Sequence, residues 1–108
     1  MSKTITFEWE GLDYTLEYTR ASVKQMEQNG FRVAQVGDQP MTMLPMLFEG
    51  AFIARHKFTK PAVINAIYEA IDDKEGLIAK LIEMYNECLE SLLDSPKTGK
   101  NLKWAAAW

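Results

Sequence analysis

Regular alternation of apolar and polar residues over the first eighteen positions is the feature that most constrains this chain. Large apolar side chains recur at every second position of two short runs, which are Ile5, Phe7 and Trp9 and then Tyr14, Leu16 and Tyr18. Such alternation predicts two strands joined as a β-hairpin with one buried face. A turn at Gly11 and Leu12, in which glycine supplies the positive φ, places Trp9 opposite Tyr14 and brings the large apolar side chains to one side.

The opposite face of the predicted hairpin is acidic. It carries four carboxylates, which are Glu8, Glu10, Asp13 and Glu17. In the predicted register Glu10 lies directly opposite Asp13, and this like-charge pair costs a little stability. A charged strand face usually provides only solubility, but it also attracts a basic partner, for which Glu8, Glu10 and Asp13 are the candidate contacts. Because two strands alone are marginal in water, the hairpin must pack on helices, gain a third strand or pair with a neighbour.

Helical periodicity follows the hairpin and predicts about four helices. The first runs from about residue 19 to residue 29, with Ser22 and Gln25 as a capping box and Gly30 as its left-handed stop. Residues 31–36 alternate only weakly, so they form either a third short strand or an extended loop.

The second predicted helix, residues 42–56, is apolar around nearly its whole circumference and is therefore buried on most sides. Thr42 caps it, and Pro45 is tolerated because the first turn has no intrahelical N–H bonds to lose. Gly50 inside it indicates that another backbone approaches closely. Its methionine and aromatic side chains form either core, the commoner case, or an adaptable groove for a partner. The candidate partner contacts on this helix are Met43, Met46 and Phe52.

A third helix opens at Thr59, and a fourth, with Asp72 and Glu75 as its capping box, reaches Leu93 before Pro96. The predicted fold is therefore α+β, with an N-terminal hairpin packed on about four helices. We expect one domain over residues 1–94.

Residues 95–108 form a polar linker followed by an apolar segment. Trp104 and Trp108 lie four residues apart in that segment, where two indoles are rarely left in water. They therefore dock either on their own domain or on a partner, since tryptophan anchors both cores and interfaces.

Composition excludes several classes of protein. A net charge of −3 and a pI near 5.1 argue against a protein that binds nucleic acid, because such binding relies on a positively charged surface. The most apolar stretch, residues 43–54, is interrupted and shorter than the roughly 20 residues that a membrane span needs. The single cysteine, Cys88, and the lack of a signal-like N-terminal segment predict a reducing, cytoplasmic setting.

No catalytic or metal site is predicted. The single histidine, His56, lies between Arg55 and Lys57 near the expected end of the second helix, where cations stabilise the helix dipole. Cys88 is expected to be buried and inert. Zinc signatures need paired Cys or His residues at short spacing, and Glu83 with Glu87 is more often a solvated surface than a metal site. We therefore expect no enzyme activity, cofactor or metal.

Several runs of the chain also resemble a family of small proteins encoded by phages and prophages of Gram-positive bacteria. They are residues 5–11, 14–20, 26–27, 30–31, 43–45, 47–48, 50–52 and 84–87, together with Trp104 and Trp108. That family is in turn similar to the tail assembly chaperones of long-tailed phages, which share small size, acidic character and an opening hairpin of the F-x-x-x-G-x-x-Y-x-L type. The chaperones bind the tape measure protein, and sometimes the tail tube protein, before the tail polymerises.

The resemblance implies a tail assembly chaperone in the host cytoplasm, with tape measure or tail tube protein as its partner. We expect it to be a homo-oligomer that associates through the hairpin edge or the second helix. The alternative is a structural virion protein, such as a tail completion or connector subunit.

Overall fold

A computed structural model describes residues 3–91 and 102–108 of the chain. Its elements are β1 (Ile5–Trp9), β2 (Leu12–Leu16), α1 (Arg20–Gln28), a 3-10 turn (Val33–Gln35), α2 (Pro40–Gly50), α3 (Ile53–His56), α4 (Pro61–Ala70) and α5 (Lys74–Glu90). Within these residues an antiparallel two-stranded sheet packs on five α-helices. The predicted α+β class is confirmed.

The hairpin forms with a register that differs from the prediction. Its turn lies at Glu10 and Gly11, with φ of 50° and 82°, as a primed two-residue turn requires. Trp9 therefore pairs with Leu12, and Phe7 pairs with Tyr14. The turn was predicted at Gly11 and Leu12, one residue too late. The predicted pairing of Trp9 with Tyr14 is therefore wrong by two positions in register. A shift of two keeps every side chain on its face, so the apolar face is as expected.

Helix α1 begins where the sequence predicted, but with a different capping box. Thr19 is the N-cap: its side chain accepts from the Ser22 N–H at 3.1 Å, and the Thr19 N–H donates to Ser22 Oγ at 2.8 Å. Ser22 is thus the N3 residue of a capping box whose N-cap is Thr19, so the predicted box of Ser22 with Gln25 is wrong. The predicted stop is confirmed, since Gly30 has φ 102° and the Phe31 N–H donates to the Met26 carbonyl at 2.9 Å.

The segment after α1 forms no third strand in the described structure. Residues 33–35 make a 3-10 turn instead, and the sheet has two strands within the described ranges. Helix α2 then begins at Pro40, whose fixed φ suits the first helical position. Thr42 is therefore not the cap, and Pro45 lies in the helix interior. The carbonyl of Met41 loses its helical partner there, on a residue that is 90% exposed, where water replaces the missing donor.

The predicted helix over residues 42–56 is interrupted. Helix α2 ends at Gly50, and the short helix α3 starts at Ile53. The interruption frees the carbonyl of Ala51, which accepts from the Glu17 N–H at 3.2 Å. Gly50 is indeed in close contact, but with the Met26 side chain rather than with another backbone.

The last two helices follow the prediction with small shifts. Lys60 caps α4 and Pro61 is its first residue, while α5 is capped by Asp73, whose carboxylate accepts from the Gly76 N–H at 3.1 Å. The predicted cap at Asp72 is thus wrong by one residue. Helix α5 is described to Glu90, and its predicted extension to Leu93, the domain boundary at 94 and the linker lie outside the described residues.

Aromatic side chains from distant parts of the chain meet in the core. Tyr85 of α5 makes edge-on contacts with Tyr18 and Phe31, at centroid distances of 5.6 and 5.2 Å. The buried Tyr18 hydroxyl donates to the Leu47 carbonyl at 2.6 Å, and burial raises the pKa of its phenol. These contacts join the hairpin, α2 and α5 in one core. In the part of the chain that the structure describes, no helix has both the length and the apolar character needed to cross a membrane.

Replacing Gly50 by alanine is expected to destabilise the fold. A β-carbon at this position overlaps the Met26 side chain, which is buried in the core and therefore has to repack. We expect the free energy of unfolding in urea to fall by about 1–3 kcal/mol. Gly37→Ala is the matched control, since a β-carbon there has nothing within 4 Å, and it should change the free energy by less than about 0.5 kcal/mol. Equal stability of the two variants would contradict the packing described.

Candidate protein-binding surface

The two edges of the hairpin differ in what covers them. Because the turn has two residues, the hydrogen-bonded pairs of the ladder are every second pair, starting from Trp9 and Leu12. The backbone groups between these pairs therefore point away from the ladder, at Asp13, Thr15 and Glu17 on the β2 side and at Thr4, Thr6 and Glu8 on the β1 side.

The β2 edge is covered by the region where α2 gives way to α3. The Thr15 N–H donates to His56 Nε2 at 3.0 Å, and the Glu17 N–H donates to the Ala51 carbonyl. Arg55 adds an ion pair with the Glu17 carboxylate at 2.8 Å. The hairpin is therefore anchored to the helices through β2.

His56 has a specific structural role that its sequence neighbours did not indicate. Its ring packs on Tyr14 at a centroid distance of 5.0 Å while Nε2 accepts a hydrogen bond from the β2 backbone. His56 lies in the last turn of a helix, α3, as expected, but its Nε2 also serves there as a hydrogen-bond acceptor for the β2 backbone. The residue completes the β2 edge.

The β1 edge, defined as the outward backbone groups of Thr4, Thr6 and Glu8, is unpaired within the described structure. No hydrogen bond joins these groups to another residue in the ranges 3–91 and 102–108. Beside this edge lies a groove of about 430 Å³, here called the hairpin groove. Its apolar lining is Ile5, Phe7, Phe48, Ile71 and Leu77, with Asp72, Asp73 and Lys80 at its rim.

On the acidic outer face of the hairpin Glu8, Glu10 and Asp13 are exposed, as the alternation predicted, whereas Glu17 is half-buried beside Arg55. The directly opposed carboxylates are Glu8 and Asp13, so the predicted pairing of Glu10 with Asp13 is wrong, again because the turn lies one residue earlier. Neither Glu8 nor Asp13 is in an ion pair with another described residue. This face therefore has two adjacent carboxylates that a cation would stabilise.

Lys3 ties the start of β1 to α5. Its ammonium lies 2.6 Å from a Glu83 carboxylate oxygen and 3.1 Å from one of Glu87. The hydrogen bonds to these two carboxylates raise the pKa of Lys3, and the bond from Lys3 lowers the pKa of Glu83. Glu83 and Glu87, which were predicted to form a solvated helix face, are thus paired with Lys3 from the N-terminal end of the chain.

A second groove, here called the α5 groove, runs between α2, α4 and α5. It has a volume of about 360 Å³ and is lined mainly by apolar side chains, which are Leu44, Tyr68, Ile78, Ala79 and Ile82. Lys74 and Glu75 stand at one end. Lys74 is held there by hydrogen bonds to the carbonyls of Glu69 and Ile71 and lies 5.7 Å above the Tyr68 ring. The first half of α5 thus separates two apolar grooves.

The contacts predicted on the second helix, which the structure divides into α2 and α3, lie in or against the core. Met43 and Phe52 are buried in the core, so they are not available to a partner, and Met46 is half-buried against that core. The exposed residues of α2 include Met41, which lies one residue before the start predicted for this helix.

The tail segment, residues 102–108, is exposed along its length. Trp104 is 81% exposed, Leu102 is 92% exposed and Trp108 is fully exposed. Of the two predicted docking modes, docking on the chain's own domain is therefore not what the structure shows. The segment presents two indoles to solvent.

Cys88 is half-buried between α1 and α5 rather than fully buried. Burial raises the pKa of its thiol, and the Arg20 guanidinium on α1 opposes this rise. Arg20 is distant in sequence, so only the packing of α1 on α5 brings it near. In residues 3–91 and 102–108 no three His, Cys, Asp or Glu side chains cluster as metal ligands would.

Comparison with known proteins identifies the family of the chain. Residues 1–108 match the model of DUF5055, described as a domain of unknown function, and the chain belongs to this family. No curated protein and no solved structure matches it. Any function must therefore be argued from the surfaces described above.

Loss of the His56 acceptor is expected to weaken the anchoring of the hairpin. His56→Phe keeps an aromatic ring against Tyr14 but leaves the Thr15 N–H without its partner. We expect the free energy of unfolding in urea to fall by about 1 kcal/mol. The neighbouring exposed Lys57, replaced by glutamine, should leave it within about 0.5 kcal/mol of the wild type. If His56→Phe is as stable as the Lys57 control, the hydrogen bond does not anchor the hairpin.

Proposed function

We propose that this DUF5055 protein is a protein-holding module, related in function to phage tail assembly chaperones, whose α5 groove covers an apolar helix of a client. The observation that carries the proposal is the apolar lining of that groove on the molecular surface. The client we propose is the tape measure protein or the tail tube protein, by the resemblance described above.

The chemistry of the α5 groove suits a helix better than a small polar ligand. Its floor is made by Ile78 and Ile82, one turn apart on α5, and its walls by Leu44 of α2 and Tyr68 of α4. An amphipathic helix presents apolar side chains at a similar spacing and buries them by lying along such a groove. Lys74 and Glu75 confine polar contacts to the rim, which is the usual arrangement of protein interfaces.

The rest of the surface supports a role as a carrier. The chain has a net charge of −3, and the hairpin's outer face adds exposed carboxylates well away from the core. Charge of this kind keeps a protein dispersed while it covers an apolar partner. The holding role involves surface contact alone and no reaction step.

Co-expression with candidate clients tests the proposal through a pair of alanine variants. Ala79 is exposed and lines the α5 groove, whereas Ala66 is exposed on α4, two residues from Tyr68 and so on a different face. We expect the wild type and Ala66→Glu to co-purify with tape measure or tail tube protein. Ala79→Glu should bind at least about tenfold more weakly, because the new carboxylate would be buried against the client helix.

Two outcomes would contradict the proposal. One is failure of both clients to co-purify with the wild type at low salt, and the other is equal binding by the two variants. Mass spectrometry of purified virions adds a separate criterion, since a chaperone is absent from the finished particle and a structural subunit is present.

A further inference from the structure

The β1 edge has the backbone chemistry to accept another strand. The outward N–H and C=O groups of Thr6 and Glu8 make no hydrogen bond within the described residues, whereas on β2 the N–H groups of Thr15 and Glu17 are bonded to His56 and Ala51. An unpaired edge of this kind is a template for strand addition. The hairpin groove beside it is apolar, so an added strand would need apolar side chains on its inner face.

The tail segment has the pattern that such a strand needs. Leu102, Trp104, Ala106 and Trp108 occupy every second position, so an extended segment presents them on one face. Lys103 then lies on the opposite face. The segment forms neither helix nor sheet in the structure, and its seven residues are enough to run the length of the five-residue strand β1.

Charge complementarity favours the same pairing. When the apolar face of the tail segment meets the hairpin groove, the alternation of side chains places Lys103 on the acidic outer face of the hairpin. That face holds the directly opposed carboxylates of Glu8 and Asp13. A lysine beside Glu8 would stabilise this like-charge pair, and the carboxylates in turn would discriminate against an acidic strand.

The tail segment of the same molecule does not occupy the β1 edge. The ion pair of Lys3 with Glu87 places β1 near the end of α5, and the ten residues 92–101 can span up to about 35 Å when extended. The molecule's own edge is thus within reach. Its tail segment nevertheless does not lie there, since Trp104 is 81% exposed.

We propose that residues 102–108 of one molecule add as a third strand to the β1 edge of a second molecule. The tryptophans lie over the hairpin groove, and Lys103 lies beside Glu8. Reciprocal exchange of tails gives a symmetric dimer in which each copy completes the sheet of the other. The proposal concerns self-association and does not depend on a client in the α5 groove.

Sedimentation velocity over a series of concentrations tests the tail side of the contact. We expect the full-length protein to dimerise, and Trp104→Ala with Trp108→Ala to shift the dissociation constant upwards by at least about tenfold. Both indoles are exposed in the single molecule, so circular dichroism and thermal melting of this variant should match the wild type at low concentration.

A charge exchange tests the register of the contact. Glu8→Lys should raise the dimer dissociation constant about fivefold to tenfold, because it faces Lys103 across the interface. The same change should raise the melting temperature of the monomer, because it replaces the like-charge pair of Glu8 and Asp13 by an opposite-charge pair. Adding Lys103→Glu should restore dimerisation. A structural effect on the hairpin alone would not be rescued from the tail.

Mixing two defective proteins tests whether edge and tail are complementary. Thr6→Pro removes an outward donor of β1 without removing a ladder bond, and Glu8→Lys serves in its place if the proline variant does not fold. Either edge variant, mixed with the double tryptophan variant, should form heterodimers through the remaining intact tail and edge.

Three results would overturn the proposal. These are a wild type that stays monomeric at every concentration, tryptophan variants that dimerise normally, and indole fluorescence that is already shielded from iodide in the monomer, which would show docking within one chain. Loss of client binding by Ala79→Glu with normal dimerisation would bear on the holding function alone.

Discussion

Two hydrogen bonds from the edge of β2 to the junction of α2 and α3 are what the rest of this structure depends on. A two-stranded hairpin is marginal in water by itself. Here the Thr15 N–H is bonded to His56 and the Glu17 N–H to the carbonyl of Ala51, so the sheet is continued by helical residues instead of by a third strand. The interruption of α2 after Gly50 makes the second bond possible, because in an unbroken helix the Ala51 carbonyl would accept an intrahelical hydrogen bond instead.

Anchoring through β2 determines which surfaces remain for partners. It turns the apolar face of the hairpin onto the core, where Tyr14 and Leu16 are buried, and leaves the β1 edge with no partner in the described structure. The same arrangement places β1 beside α5, whose first half has an apolar groove on either side. Both surfaces proposed here for protein contact follow from this placement. Neither requires a reacting group.

Much of the fold could be predicted from periodicity, because periodicity reflects burial. The apolar alternation that begins at Ile5 fixed the two strands and their inner face, and helical spacing gave the helices and most of the core. Boundaries were less predictable: the turn, the Thr19 cap and the Asp73 cap each lay within a few residues of an alternative with similar local energy. The choice between them depends on contacts made elsewhere in the chain.

The candidate surfaces were less accessible to sequence reasoning than the fold. Met43 and Phe52 are buried whereas Met41 is exposed, and this difference depends on which face of the segment packs on the other helices, which a local pattern does not determine. His56 accepts a hydrogen bond from Thr15, and Arg20 opposes the rise in the pKa of Cys88 that burial causes. In both cases the partner is distant in sequence, so a local pattern does not reveal the interaction. By contrast, the acidity of the outer face was visible in the sequence, since it depends on local composition, whereas the sequence left open whether Trp104 packs on its own domain.

The difference between the two hairpin edges is the central claim, and amide hydrogen exchange measures it directly. In dilute protein, where self-association is absent, the amides of Thr15 and Glu17 should exchange slowly because both are hydrogen-bonded. The amides of Thr6 and Glu8, which point outward from β1, should exchange rapidly although they lie in the same hairpin. Equal protection of the two edges, or protection of β1 alone, would contradict the account.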